Sequence, residues 1–242
     1  MTDKESVFVF CAHSDDQILG PGGAIAKYAR EGIDVYTIIF SYGENSHPWM
    51  QGHVTAKIRV KEAHAADKVI KGKAVRFLGL KEGKFRQQFQ ERGLYVKIRN
   101  LLREKKPSKI FTHSWNDPLP DHKAVHNIVT ELVMKLRNIP DVYSFDIWNP
   151  IALQKTNVPK LIVDISHTFK FKVKALLCFK SQKLSVYQIL PRVFIKNLLA
   201  GLNYGMKYAE VFHKVDIHGE IERQKYPTKK EIRKRQKAQQ KA

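Results

Sequence analysis

The hydrophobic period of the chain switches repeatedly between short continuous runs and helical spacing. Glu5 to Ala12 holds the unbroken run Val-Phe-Val-Phe-Cys-Ala, the pattern of a parallel strand buried on both faces. A glycine-rich turn follows, and residues 22–31 then carry a helical pattern that Gly32 closes as a C-terminal cap. Ile33 to Phe40 reads as a second strand, Ser41 to Gly52 as a loop with Gly, Asn, Pro and Trp, and residues 54–70 as a helix. A short strand near 74–78, a helix over 91–105 stopped before Pro107, and a strand over 109–113 come next. Ser114 to Asp121 is a turn-rich loop with two prolines, after which helix resumes over 122–137. Strands are expected near 142–147 and 160–165, and helices over 168–182 and 193–207. No internal repeat is visible, and the final stretch reads as a charged helix or disorder.

Alternation of this kind predicts an α/β fold, Rossmann-like, with a mainly parallel sheet and helices on both faces. It is read as one domain over 1–222 followed by a basic tail over 223–242. In such sheets ligands sit at the carboxyl ends of the strands. Two loops gain interest from that rule alone. One carries His13-Ser14-Asp15-Asp16 after the first strand. The other carries Pro120-Asp121-His122 after the strand ending at His113.

Composition adds bounds. Apolar residues are 43% of 242, enough for a large core. Cys11 and Cys178 sit in apolar stretches and read as buried free thiols of a reducing compartment rather than a disulfide framework. The first apolar run is too short for a signal peptide, and the best membrane-span candidate, Ile189 to Tyr204, is interrupted by Arg192 and Lys196. A cytoplasmic protein is expected. The formal charge is +20, and nine Lys or Arg against one acid lie from Arg223 to Ala242. That tail is either a solvated extension or a contact for nucleic acid, an anionic surface or an acidic partner.

The two loops carry the chemistry. Adjacent ionised carboxylates repel, so Asp15-Asp16 is costly unless a cation or hydrogen bonds offset it. The plain alternative is that one of them caps the following helix. His122 and His126, four apart, share a helix face, so one could be a ligand and the other a neighbour or surface residue. Two histidines and a carboxylate suit a catalytic zinc site with an open position. They also suit the facial triad of non-haem iron(II) oxygenases, whose His-x-Asp pattern His13-Ser14-Asp15 matches literally. The βα alternation and the additional Asp, apt as a general base, favour hydrolysis.

Ala12-His13-Ser14-Asp15-Asp16-Gln17 resembles the Ala-His-Pro-Asp-Asp-Glu signature of the PIG-L/LmbE-like N-deacetylases, and Pro120-Asp121-His122-Lys123-Ala124-Val125-His126 resembles that family's second signature, His-Pro-Asp-His-Arg with its helical continuation. Weaker echoes are Arg59-Val60-Lys61-Glu62-Ala63, Phe77-Leu78-Gly79-Leu80, Val163-Asp164-Ile165-Ser166 and Tyr208-Ala209-Glu210-Val211-Phe212, so the likeness spans roughly 5–215. The resemblance implies His13, Asp16 and His122 as ligands of zinc, or of iron(II), Asp15 as general base, and Asp121 as the neighbour that fixes charge and orientation around the metal. It implies removal of acetyl groups from N-acetylated amino sugars or their conjugates. Ser14 stands where the family has proline, Gln17 where it has glutamate, and Leu119 where it usually has a histidine that serves the tetrahedral intermediate or the leaving group. His113 is the candidate substitute. The loop Tyr42 to His53, with Tyr42, Asn45 and Trp49, is the candidate substrate-recognition segment. Arg59 either binds a substrate hydroxyl or phosphate or pairs with Glu62 one turn on. The competing reading is a catalytically weakened relative that binds glycan or nucleic acid through its basic surface. A homo-oligomer is left open.

Overall fold

The computed structural model of the protein describes residues 4–44, 51–148, 158–217 and 219. Strand β1 (Ser6–Cys11) is buried along its whole length. Because side chains alternate along a strand, Val7, Val9 and Cys11 enter one apolar cluster, while Phe8, Phe10 and Ala12 enter the other. That two-sided burial is why the run is continuously apolar.

The sheet has seven strands in the order β3-β2-β1-β4-β5-β7-β6. β1 pairs in parallel with β2 (Asp34–Ile39) and with β4 (Lys109–His113). β2 pairs in parallel with β3 (Ala74–Phe77), and β4 with β5 (Asp141–Phe145). β7 (Ala209–Lys214) runs antiparallel between β5 and β6 (Lys160–Asp164). The strand order reverses at β1, so the loops after β1 and β4 diverge to opposite faces and leave a crevice at their carboxyl ends.

Helices cover both faces. Residues of α2 (Gly22–Arg30), α3 (Gly52–Ile70), α7 (Phe169–Leu176) and α8 (Lys183–Asn203) join the first cluster. Those of α4 (Phe85–Glu91), α5 (Leu94–Lys105) and α6 (Pro120–Met134) join the second. A one-turn helix α1 (Asp16–Leu19) bridges β1 and α2. α2 packs so close to the sheet that a Cβ on Gly23 would fall 2.7 Å from Ile165.

The expected α/β architecture with a mainly parallel sheet is present, but several boundaries move. The helix expected over 91–105 begins three residues later, at Leu94, after Gly93 takes a positive φ of 62°. Phe85 and Phe89, one turn apart, stack on Phe40 with ring centroids 5.5 and 5.4 Å away, and this packing forms α4 where no helix was expected. The helix expected over 193–207 spans Lys183–Asn203 and carries Pro191 inside it. The helix expected over 168–182 stops at Leu176. β7 was not anticipated. Both cysteines are free thiols, Cys11 buried and Cys178 half-buried. Among the described residues no helix is long and apolar enough to cross a membrane. The tail over 223–242 lies outside the described residues.

A buried ion pair ties the last strand to the first helices. Glu210 on β7 accepts the N–H groups of Gly23 and Ala24 at the start of α2, at 2.9 and 2.8 Å. Lys172 of α7 donates to Glu210 at 2.6 Å and to the carbonyls of Leu19 and Gly20 at 3.0 and 2.9 Å. Every donor and acceptor of the pair is used, so removing one partner strands a buried charge. Glu210→Ala is expected to cost about 3–5 kcal/mol, read as a loss of unfolding free energy in urea titration. Asp67 of α3 is the opposite case: burial raises its pKa to about 6, and its Oδ1 has no hydrogen-bond partner. As pH rises from about 4 to about 6 the unfolded chain releases this proton before the folded one, so Asp67 erodes stability across that window and the loss is complete above it. Asp67→Asn should remove that slope and leave the protein more stable at pH 7 by up to about 3 kcal/mol, measured by urea unfolding at a series of pH values.

Candidate active site

β1 ends by handing its chain to β4. The Ala12 N–H donates to His113 Nε2 at 3.1 Å, and the next amide, His13 N–H, donates to Asp16 Oδ2 at 2.7 Å. Asp16 therefore turns back into its own loop. Asp15 occupies the N-cap position of α1, but its side chain makes no capping hydrogen bond. Helix capping accounts for neither carboxylate.

Three imidazoles surround Asp16. His113 Nε2 lies 3.2 Å from Oδ2, His13 Nδ1 lies 3.6 Å from the same oxygen, and His122 Nε2 lies 3.6 Å from Oδ1. Asp16, His113 and His122 are all buried. Burial works to raise the Asp16 pKa, yet His122, His113 and His13 outweigh it and hold the carboxyl well below the usual range. Burial likewise opposes the charged form of His13, but Asp121, Asp16 and Asp15 overcome it and lift its pKa to about 10. His113 goes the other way, to about 4, because burial dominates.

The ligand atoms of His13, Asp16 and His122 all lie within 4.8 Å of one another and could hold a metal ion, as could those of His113, Asp117 and His122. His122 belongs to both groups, and its surroundings separate them. Its Nδ1 is 3.0 Å from Asp117 Oδ2. Neither ring nitrogen has a hydrogen-bond partner although the side chain is fully buried: Nδ1 meets Asp117 at ion-pair distance only, and Nε2 faces Asp16 from beyond hydrogen-bond reach. A cation beside Asp16 satisfies that nitrogen, while Asp117 fixes the ring from its far side. The donor set of two imidazoles and a carboxylate fits zinc with an open position, and it fits iron(II) as well.

Around this group runs a cleft whose walls include Asp15, Arg59, Glu82, Leu119, Trp148 and Gln182. Arg59 is buried. Its Nε donates to Ser14 Oγ at 2.9 Å, and its Nη2 lies 3.5 Å from Asp15 Oδ1. Gly43, with φ of 73°, presses on this guanidinium so closely that a Cβ there would sit 2.6 Å from Arg59 Nε. Glu62 does not pair with Arg59. It accepts the N–H and hydroxyl of Ser181 at 2.6 and 2.7 Å.

The remaining expected residues are placed as follows. Asp121 accepts the Gly83 N–H at 2.9 Å and lies 3.7 Å from His13 Nε2, so it neighbours His13, whereas Asp117 serves His122. Burial tends to raise the Asp121 pKa, but His13 and the Gly83 N–H lower it. His113 stacks on His122 with centroids 3.8 Å apart, and it is fully buried. His126, sharing a face with His122, is bonded through Nδ1 to the His113 carbonyl at 2.8 Å. Tyr42 stacks on Phe77 with centroids 5.5 Å apart. Asn45 and Trp49 lie outside the described residues. Leu119 is half-exposed at the cleft and donates its N–H to Asp117 Oδ1 at 2.9 Å.

Sequence reasoning did not single out Asp117, Glu82 or Trp148. Asp117 sits in Asn-Asp-Pro, which reads as a turn, and only its five-residue lead on His122 hinted otherwise. Glu82 accepts the Ser41 hydroxyl at 3.1 Å and lies 3.8 Å from His13 Nε2.

4-Oxalmesaconate hydratase of Pseudomonas putida is 26% identical over 201 residues, which are 75% of this chain and 76% of the relative. Among solved structures, N,N'-diacetylchitobiose deacetylase from Pyrococcus horikoshii is 22% identical with a TM-score of 0.73, over 89% of this chain and 85% of that one. 4-Carboxy-2-hydroxymuconate hydratase from Pseudomonas putida is 24% identical with a TM-score of 0.74, over 87% of this chain and 96% of that one. At these identities the structures speak for the fold alone. The family model described as PIG-L, GlcNAc-PI de-N-acetylase, matches residues 8–133, more than half of the chain and both loops of the site, and the protein belongs to that family.

Proposed function

We propose that the protein is a metal-dependent hydrolase that removes the acetyl group from an N-acetylated amino sugar or its conjugate. The convergence of His13, Asp16 and His122 within 4.8 Å, with Asp15 lining the cleft beside them, carries this reading. Zinc, or iron(II), would be held by His13, Asp16 and His122 and would supply Lewis-acid polarisation of the amide carbonyl and an acidified water.

The chain's own groups do the rest. Asp15 takes a proton from the attacking water as the new C–O bond forms. It then returns that proton to the nitrogen as the C–N bond breaks, giving acetate and a free amine. Arg59, locked to Ser14, holds the Asp15 carboxylate in place. Asp117 holds the His122 ring so that Nε2 points at the metal position. Leu119 offers no proton, and His113 is fully buried, so Asp15 serves as base and then as acid. Two free thiols are consistent with a cytoplasmic setting.

Hydration of an unsaturated acid is the second reading. The Pseudomonas putida relative named a hydratase favours it, and so does Leu119, since adding water to a C=C bond expels no leaving group that needs an acid at that position. An intact set of metal-binding side chains weighs against a purely binding role.

Metal analysis and kinetics separate the roles. Asp15→Asn should keep its metal and lose at least about 100-fold in turnover. His122→Ala should lose the metal. Asp117→Asn should weaken metal affinity by about 10–100-fold, measured by competition with a chelating dye. Full hydrolytic rate in Asp15→Asn would refute its assignment as base. Across a panel of N-acetyl sugars and conjugates, acetate release is expected, and Leu119→His should raise kcat by supplying a second acid. Loss of a conjugated C=C absorbance without acetate release, unaffected by Leu119→His, would instead favour the hydratase.

A further inference from the structure

Helix α8 carries an apolar stripe that nothing among the described residues covers. Leu184, Tyr187, Ile195, Leu199 and Leu202 are 75%, 54%, 54%, 54% and 64% exposed. With Pro191 and Leu198, the positions 184, 187, 191, 195, 198 and 202 recur every three or four residues, which is one face of a helix. The opposite face is also apolar: Val186 and Val193 are buried in the core. The helix is thus hydrophobic on two sides. Such a helix is ordinarily enclosed by protein or lipid, and this one is not apolar enough to span a bilayer.

The charge pattern says what meets it. From Ile165 to Ala209 the chain has eight Lys or Arg and no Asp or Glu. One of the eight, Lys172, is neutralised by Glu210 in the interior. Lys170, Lys174, Lys180, Lys183, Arg192 and Lys207 are exposed around α7 and α8. A second copy of the chain docked by two-fold symmetry would bring the same cations face to face. An anionic lipid surface offers apolar depth for the stripe and countercharge for its rim.

We infer that α8 is an interfacial helix that seats the protein on an anionic membrane surface, with the stripe from Leu184 to Leu202 in the acyl boundary. Gln182, the residue capping α8, also lines the cleft, so the seated protein opens its site next to the bilayer. This holds whichever reaction the cleft performs.

Co-sedimentation of the full chain with vesicles tests it. Binding is expected to phosphatidylglycerol–phosphatidylcholine vesicles and to be at least about tenfold weaker to phosphatidylcholine alone. The double substitution Ile195→Glu, Leu202→Glu should abolish binding while circular dichroism and metal content stay unchanged. Lys183→Gln with Arg192→Gln should weaken it about tenfold without touching the apolar face. Because the tail is basic too, a full-length chain with Lys229, Lys230, Arg233, Lys234 and Arg235 changed to Gln should keep binding that the double substitution still removes. The inference is overturned if wild-type protein ignores anionic vesicles, if the Glu substitutions leave binding intact, or if neutralising the tail alone eliminates it. It is equally overturned if sedimentation shows a dimer that those Glu substitutions dissociate.

Discussion

One buried carboxylate organises the site. Asp16 accepts the amide of His13, touches His113 from the neighbouring strand and faces His122 from the helix beyond. Its charge lies where water cannot solvate it, so its stability depends entirely on imidazoles drawn from three separate elements. Those elements must therefore assemble around it together, and the β1–β4 adjacency of the sheet is what brings them within reach. The rest of the centre follows: Asp117 behind His122, Asp121 and Glu82 beside His13, and Arg59 bracing the loop that carries Asp15.

The support beneath the loop is as deliberate as the loop itself. Asp15 and Asp16 open a helix of one turn, too short to hold a conformation alone. The adjoining α1–α2 corner is clamped from below by Lys172 on two carbonyls and by Glu210 on two amides. A residue near the end of the sheet thus stiffens a site that starts at its beginning.

What could be read from the sequence was whatever local pattern determines. The continuous apolar run of β1, the Asp-Asp pair after it and the Asp-His pair after β4 were legible because strand burial and metal chemistry each restrict residue type at fixed spacing. Asp117 was not, because Asn-Asp-Pro is also an ordinary turn and only the fold reveals that it meets His122. Glu82 and Trp148 join the cleft from loops whose path depends on distant packing. α4 was missed because its helix is set by Phe85 and Phe89 meeting Phe40, not by propensity. α8 was placed ten residues late, although the observed helix runs from Lys183 through Pro191. β7 was not anticipated, since a short strand that inserts between two others is specified by its partners.

That insertion has a consequence for how the molecule forms. β5 and β6 do not touch each other; β7, made last, fills the gap between them. During synthesis the residues that shape the cleft emerge early, while the strand that joins the sheet's far edge to the rest arrives only with Lys214. Until then β6 has no neighbour to zip against, and the corner bearing Asp16 lacks its Glu210 clamp. The chain before β7 therefore carries the metal-binding side chains in a mechanically unfinished centre, one that sets firm only once β7 is in place.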